Sequence, residues 1–363
     1  MKYSSALPAT AQAAYAEVLQ LARQHELARS VGSLSGSFNR KTVKGIEYWY
    51  YQFTDAEGGK LRQVFVGRDD ERIRALVDRS RSREMKSLDP LAKSAIALGC
   101  AAATPAHFRV IRRLNEIGFF QAGGVLVGTH AFLAYGNELG VTWGSLGRTV
   151  DLDFAHAGTN VELALPNNLE IDTRGAVERL ESGLLPVPGL RPGDKTASFT
   201  SRVDKHLRVD FLTPMQGGRE KVFEHKALGV NLQPLPFLQF VLEDIHQAAV
   251  LSALGAVVVN VPDPARFALH KLLVFAERRR HDPSKALKDL RQAAALLEVL
   301  ASFREDDVLA LWSRDLRTRG PGWVKRGDTA LKALADVLPE LPLIRRMEGS
   351  SKPIAAPRAR RKQ

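Results

Sequence analysis

Cysteine is nearly absent. Cys100 is the single one in 363 residues, which excludes an intramolecular disulfide and any cysteine-cluster metal site. Its setting, AIALGCAAA, reads as a small apolar packing position. Long apolar runs are missing too: no stretch approaches the ~18 residues of a membrane span. The first residues, MKYSSALPATAQAAYAEVLQ, carry polar and charged side chains where a secretory core would be apolar. The expectation is a folded cytoplasmic protein with no membrane partner. His130, His156, His206, His225 and His270 show no HExxH spacing, and neither a Gly-x-x-x-x-Gly-Lys-Ser/Thr loop nor a Gly-x-Ser-x-Gly elbow occurs. Acidic residues are outnumbered, 40 to 52, giving a net charge of +12 that suits a polyanionic partner or substrate. Five of the basic residues lie in SSKPIAAPRARRKQ, a tail without a core-forming pattern that reads as disordered.

The length predicts more than one domain. Residues 8–29 repeat apolar side chains at helical spacing. Aromatic and β-branched runs follow, separated by Lys44-Gly45 and Glu57-Gly58-Gly59, the punctuation of a three-stranded meander. A long charged helix from about Arg72 links it to the main domain. PAHFRVIRRLNEIG is an amphipathic helix with Pro105 in its first turn. Val125-Leu126-Val127 is a strand, followed by a helix beginning near His130 with Thr129 as its N-cap. Two strands turn near Asp204-Lys205, and PFLQFVLEDIHQ pairs with AAVLSALGAVVVNVP. From Pro264 to about Arg346 the pattern is helical. The resulting division is 1–98, helix, meander and linking helix; 99–262, a mixed α+β domain; 263–346, all helical; and 347–363, the basic tail.

GSLGRTVDLDF carries the chemistry. On a strand Asp151 and Asp153 project to one side and Val150, Leu152 and Phe154 to the other. Two converging carboxylates repel unless a cation lies between them, and Mg²⁺ binds one or two carboxylates together with substrate phosphates. Asp210, in LRVDF, sits on a second apolar strand able to pair beside the first. Three such carboxylates could hold two metals for phosphoryl or nucleotidyl transfer. The strand-loop-helix VLVGTHAF offers a phosphate cradle, with Gly128 permitting close approach and Thr129 adding a hydroxyl. Arg148 either clamps a phosphate or pairs with Asp151. Lys271, with Phe267, Val274 and Phe275 around its stem, aims into the cleft, whereas Lys288-Asp289 reads as a solvated helix face.

In this order, Gly128-Thr129, Arg148-Thr149-Val150-Asp151-Leu152-Asp153 and Val209-Asp210-Phe211 resemble the polymerase-beta-type nucleotidyltransferase superfamily. More narrowly, the chain is similar to bacterial nucleotidyltransferase-fold relatives of abortive-infection toxins, whose core is followed by helices bearing a lysine and a charged K/R-D pair. The resemblance covers about residues 105–300, and Val127 stands where the superfamily loop usually has its first glycine. It implies an α+β fold with a mixed, mostly antiparallel sheet flanked by helices. It makes Asp151, Asp153 and Asp210 ligands of Mg²⁺ or Mn²⁺, with Asp210 also the base for the acceptor hydroxyl. Nucleotide contacts fall to Gly128, Thr129, Arg148, Thr149 and Lys271. The implied reaction moves a nucleoside monophosphate from an NTP to an RNA end, a protein or a small molecule, releasing pyrophosphate. Alternatives are a non-catalytic nucleotide- or nucleic-acid-binding protein on the same fold, or a toxin-like role in phage defence. The Tyr48-Trp49-Tyr50-Tyr51 run, on a basic chain, leans toward RNA, although alternate members could instead form the meander's own core. Nothing in the sequence fixes an oligomeric state.

Overall fold

The computed structural model describes residues 2–32, 36–54, 61–81, 88–157, 171–180, 183–188, 195–204, 207–215, 217 and 221–350. The turn expected at Glu57-Gly58-Gly59, and the tail from residue 351 onward, lie outside them. A short strand β1 (Ser5–Ala6) leads into α1 (Ala9–Gly32), the helix expected over 8–29. Its buried stripe of Ala11, Tyr15, Val18 and Ala22 recurs every three or four residues. Cys100 is buried beside it, donating to the Ala11 carbonyl at 3.4 Å as a packing residue.

The meander is β2 (Gly36–Val43), β3 (Ile46–Thr54) and β4 (Leu61–Arg68), antiparallel throughout. Lys44 and Gly45 both take positive φ, 50° and 79°, as a two-residue hairpin turn requires. The linking segment is not one long helix. It forms α2 (Glu71–Arg81) and α3 (Asp89–Ala97), because Pro90 lacks the N–H that a helix interior needs and instead opens α3. Nor is α3 wholly solvated, since Ala92 and Ala95 are buried.

Thr104 caps α4 (Pro105–Glu116) by accepting from the His107 amide. Next come β5 (Val125–Val127), α5 (Gly128–Glu138), β6 (Val141–Thr142, paired with β1) and β7 (Asp151–Ala155). After α6 (Thr173–Glu178) follow β8 (Leu184–Pro186), β9 (Ser198–Ser201), β10 (Arg208–Pro214), β11 (Phe223–His225) and β12 (Val230–Leu235). The sheet runs β11-β12-β10-β7-β5, with β9 and then β8 continuing from the first half of β10. It is mixed and mostly antiparallel: among the described residues only β7–β10 and β10–β12 are parallel. One face packs Phe154 against Phe211, ring centroids 5.7 Å apart, with Phe119 edge-on to both. That close-packed layer fixes the opposite face, which carries the aspartates.

One expected pairing is displaced. Residues 238–241 form a helical turn, α7 (Leu238–Val241), and the hairpin lies wholly C-terminal to it, β13 (Ile245–Ser252) with β14 (Gly255–Pro262). The reversal falls at Ala253-Leu254, between the paired Ser252 and Gly255, and not near Gln247; Gly255 opens β14 at φ 119°. Asp263 then caps α8 (Pro264–Arg278) and Asp282 caps α9 (Pro283–Leu300). The C-terminus stays helical through α10 (Glu305–Ala310), α11 (Pro321–Val337) and α12 (Pro342–Ser350), the last running beyond Arg346 with Met347 buried. These helices and the aspartate-bearing sheet share one continuous apolar core.

Candidate functional site

The parallel register of β7 and β10 sets Asp153 directly beside Asp210 and Asp151 beside Arg208. Antiparallel pairing on the other edge sets Val127 beside Asp153. The three aspartates thus share one sheet face, as strand alternation predicts. Asp153 lies against the start of α5. Burial pushes its carboxyl up to about 6, and the charges of Asp210 and Asp151 add to the effect while Lys271 and Arg278 oppose it.

Gly128 has φ 66°, and a Cβ there would stand 2.1 Å from Oδ2 of Asp153. Helix α5 therefore begins at Gly128, not near His130, and its N-cap is Val127, which supplies no side-chain hydrogen bond. The reason is steric: the left-handed glycine turns the chain from strand to helix in one residue. Thr129 is carried inward instead of capping, and its hydroxyl accepts from Nε2 of the buried Gln292 on α9 at 3.4 Å.

The other aspartates have cationic partners. Asp210 accepts from Arg208 Nε at 3.1 and 3.0 Å and from the Ser198 hydroxyl. Lys285 Nζ lies 3.9 Å from Asp151. Of the two roles open to Arg148, pairing with Asp151 is not seen: Arg148 is exposed and forms no ion pair among the described residues. Its carbonyl accepts from Lys288 Nζ at 2.9 Å, and the Thr149 hydroxyl accepts from the Asp151 amide at 3.2 Å, turning the chain into β7.

Helices α8 and α9 bring cations over this face. Lys271, only 12% exposed, holds Asp289 at 2.6 Å, and Arg278 holds the other oxygen at 3.0 Å. Asp289 is buried at 3%, so the solvated-face reading of Lys288-Asp289 is wrong for it. An ion pair to two cations is what makes such burial possible. Burial, followed by the charge of Lys271, lowers the pKa of Lys288. A pocket of about 150 Å³ opens here, lined by Gly128, Asp153, Lys271 and Arg278 together with the apolar Leu235, Phe237 and Val274.

Sequence reasoning passed over Arg208, Ser198 and Lys285. Arg208 was accessible, since i and i+2 on a strand share a face. Ser198 and Lys285 required the register and the helix placement. Two histidines sit in the core: His107 and His130 meet at 3.0 Å, and burial holds both below the ordinary value.

A model of a family described as Nucleotidyltransferase matches residues 106–316, more than half of the chain. The chain belongs to that nucleotidyltransferase family. The match spans the aspartate-bearing sheet together with α8 and α9, and it leaves the meander and α12 outside. No curated protein and no solved structure matches this nucleotidyltransferase. No helix among its described residues is long and apolar enough to cross a membrane.

The donor set suits a hard divalent cation in part. Among the described residues no three acidic, histidine or cysteine side chains form a ready cage. Asp151 and Asp153 supply carboxylate oxygens on one face, matching the one or two carboxylates that Mg²⁺ takes alongside phosphates and water. Asp210 is held by Arg208 and could join only by exchanging that partner.

Proposed function

We propose that the protein transfers a nucleoside monophosphate from an NTP to a hydroxyl acceptor, releasing pyrophosphate, in the cytoplasm. The observation that carries this reading is the Asp153 carboxyl pressed against the glycine that opens α5, its pKa raised by burial first and then by the charge of Asp210 beside it. Bound Mg²⁺ or Mn²⁺ would neutralise Asp151 and Asp153 and polarise the triphosphate. The first amides of α5 point toward a phosphate, and the α5 dipole favours its negative charge. Lys271 and Arg278 line the pocket with Asp153, Lys285 lies beside Asp151, and with Lys288 they would offset the charge of triphosphate and leaving pyrophosphate. Arg148 is free to clamp a phosphate, and Asp210 takes the proton of the attacking hydroxyl once Arg208 has released it.

The test is Mg²⁺-dependent incorporation from four α-labelled NTPs, with RNA and protein offered as acceptors. Incorporation should vanish in Asp153→Ala. None from any NTP in the parent would sink the reading.

The grip of Arg208 on Asp210 favours a second one, a non-catalytic nucleotide- or nucleic-acid-binding protein on the same fold. It predicts Mg²⁺-NTP binding without incorporation. Kinship with abortive-infection toxins belongs to the same reading, and a neighbouring antitoxin reading frame would support it.

A further inference from the structure

Strand alternation sorts the meander into two unlike faces. Trp49 and Tyr51 are buried on the face turned to α2, where Gly67, opposite Trp49, lies against Ile73. The acids gather there: Arg40 bridges Glu47 at 3.1 Å and Asp69 at 3.4 Å, and Asp69 accepts from the Trp49 indole at 2.7 Å.

The other face carries no carboxylate among the described residues. Lys41, Tyr48 and Arg68 form one row across the three strands, and Asn39, Tyr50 and Phe65 form the next. Phe65 is 57% exposed, and the Tyr48 and Tyr50 rings stand 5.8 and 5.6 Å from it. Lys41 lies over Tyr50 at 5.5 Å, and neither Lys41 nor Arg68 has an acidic partner among the described residues. Clustered aromatics left in water beside uncompensated cations mark a binding surface. The combination suits unpaired bases, which stack on rings, joined to phosphates, which take the cations. A duplex hides its base faces, so it could use the cations of this face but not its rings.

We propose that this face binds single-stranded nucleic acid, with bases stacked on Tyr48, Tyr50 and Phe65 and phosphates held by Lys41 and Arg68. The bound strand is then the acceptor of the transfer. Only that second statement rests on the function proposed above.

The experiment titrates full-length protein, free of NTP and metal, into a labelled RNA single strand and, separately, its duplex. The single strand should bind more tightly. Tyr50→Ala and Phe65→Ala should each weaken it by about 5- to 150-fold, the range for losing one stacked base. Phe65→Leu keeps the apolar cover but not the planar ring, and should lose as much. Lys41→Gln should flatten the salt slope by roughly 0.7. Phe303→Ala, which removes an equally exposed ring outside the meander, should bind like the parent. Parent-like binding by Phe65→Leu, whatever Phe65→Ala does, would overturn the stacking face, as would an equal loss for duplex. Intact binding with no nucleotide added to that strand would count against the transfer and leave the binding face standing.

Discussion

Gly128 and Asp153 compete for the same space: the carboxylate of one fills the position that a side chain on the other would take, 2.1 Å away. Gly128→Ala should therefore cost more than its backbone conformation alone. Gly144 supplies the control, with φ 54° and nothing within 4 Å of its Cβ position. Urea denaturation should show Gly144→Ala losing about 1 kcal/mol, the lower end for a left-handed non-glycine residue, and Gly128→Ala about 3 kcal/mol or more. Gly128→Ala should also lose Mg²⁺-NTP affinity. Equal losses of stability in the two variants would mean that Asp153 swings aside freely.

Asp153 should make the fold weaken as pH rises. Its folded pKa of about 6 lies above the ordinary 3.8, so the folded state holds the proton more tightly than the unfolded chain. The stability given by the neutral form is present below the ordinary value and lost as pH rises through about 6. Two units correspond to about 3 kcal/mol. Asp153→Asn should be the more stable protein at pH 7 by up to that amount, and the two should converge below about pH 4. Mg²⁺ with NTP should raise the Tm of the parent only. A variant less stable than the parent at pH 7 would overturn the account.

The strand face of Asp151, Asp153 and Asp210 was legible because alternation with period two depends only on local sequence. The partnership of Asp153 with Gly128 was not, since it arises from register across β5 and β7. The short run at 238–241 misled for a related reason: three apolar residues and one glutamine fit a strand or a helical turn equally well, and packing decides. Asp289 looked solvated because charge alternation reports helix periodicity without showing which face meets α8. Tyr48 to Tyr51 divided as a strand must, with Trp49 and Tyr51 inward and Tyr48 and Tyr50 on the other face, so the core reading holds for the first two, and the RNA reading is the proposal made for the face of the second two.

Lys271 is held by Asp289 at 2.6 Å, so its contribution to nucleotide binding must be separated from its contribution to the fold. Asp289→Ala should lose about 3 kcal/mol, because a nearly buried ammonium is left without its carboxylate. Lys271→Met with Asp289→Leu removes both charges and should recover most of that loss. Affinity for a non-hydrolysable NTP analogue should nevertheless stay about 10-fold or more below the parent, the effect of one charge-assisted contact. Parent-like affinity in the stable double variant would make Lys271 a structural cation only.

Arg208 and Asp210 set the last test, which concerns the resting state of the site. Arg208 donates to both oxygens of Asp210 at 3.1 and 3.0 Å, and these are the oxygens that a metal or an acceptor proton needs. Asp210→Asn should leave analogue binding measurable and suppress turnover, because the proposed base is lost while the contacts of Gly128 and Lys271 remain. Arg208→Gln should act in the opposite sense on the cation. With the guanidinium gone, Asp210 is available, and the Mg²⁺ concentration giving the half-maximal rise in Tm should fall by about 10-fold, as expected for removing one competing charged hydrogen bond. Arg208 is half exposed, so this change should cost the fold little. If Arg208→Gln instead required more Mg²⁺, or lost analogue affinity, Arg208 would be a phosphate ligand in its own right and its pairing with Asp210 only a resting position.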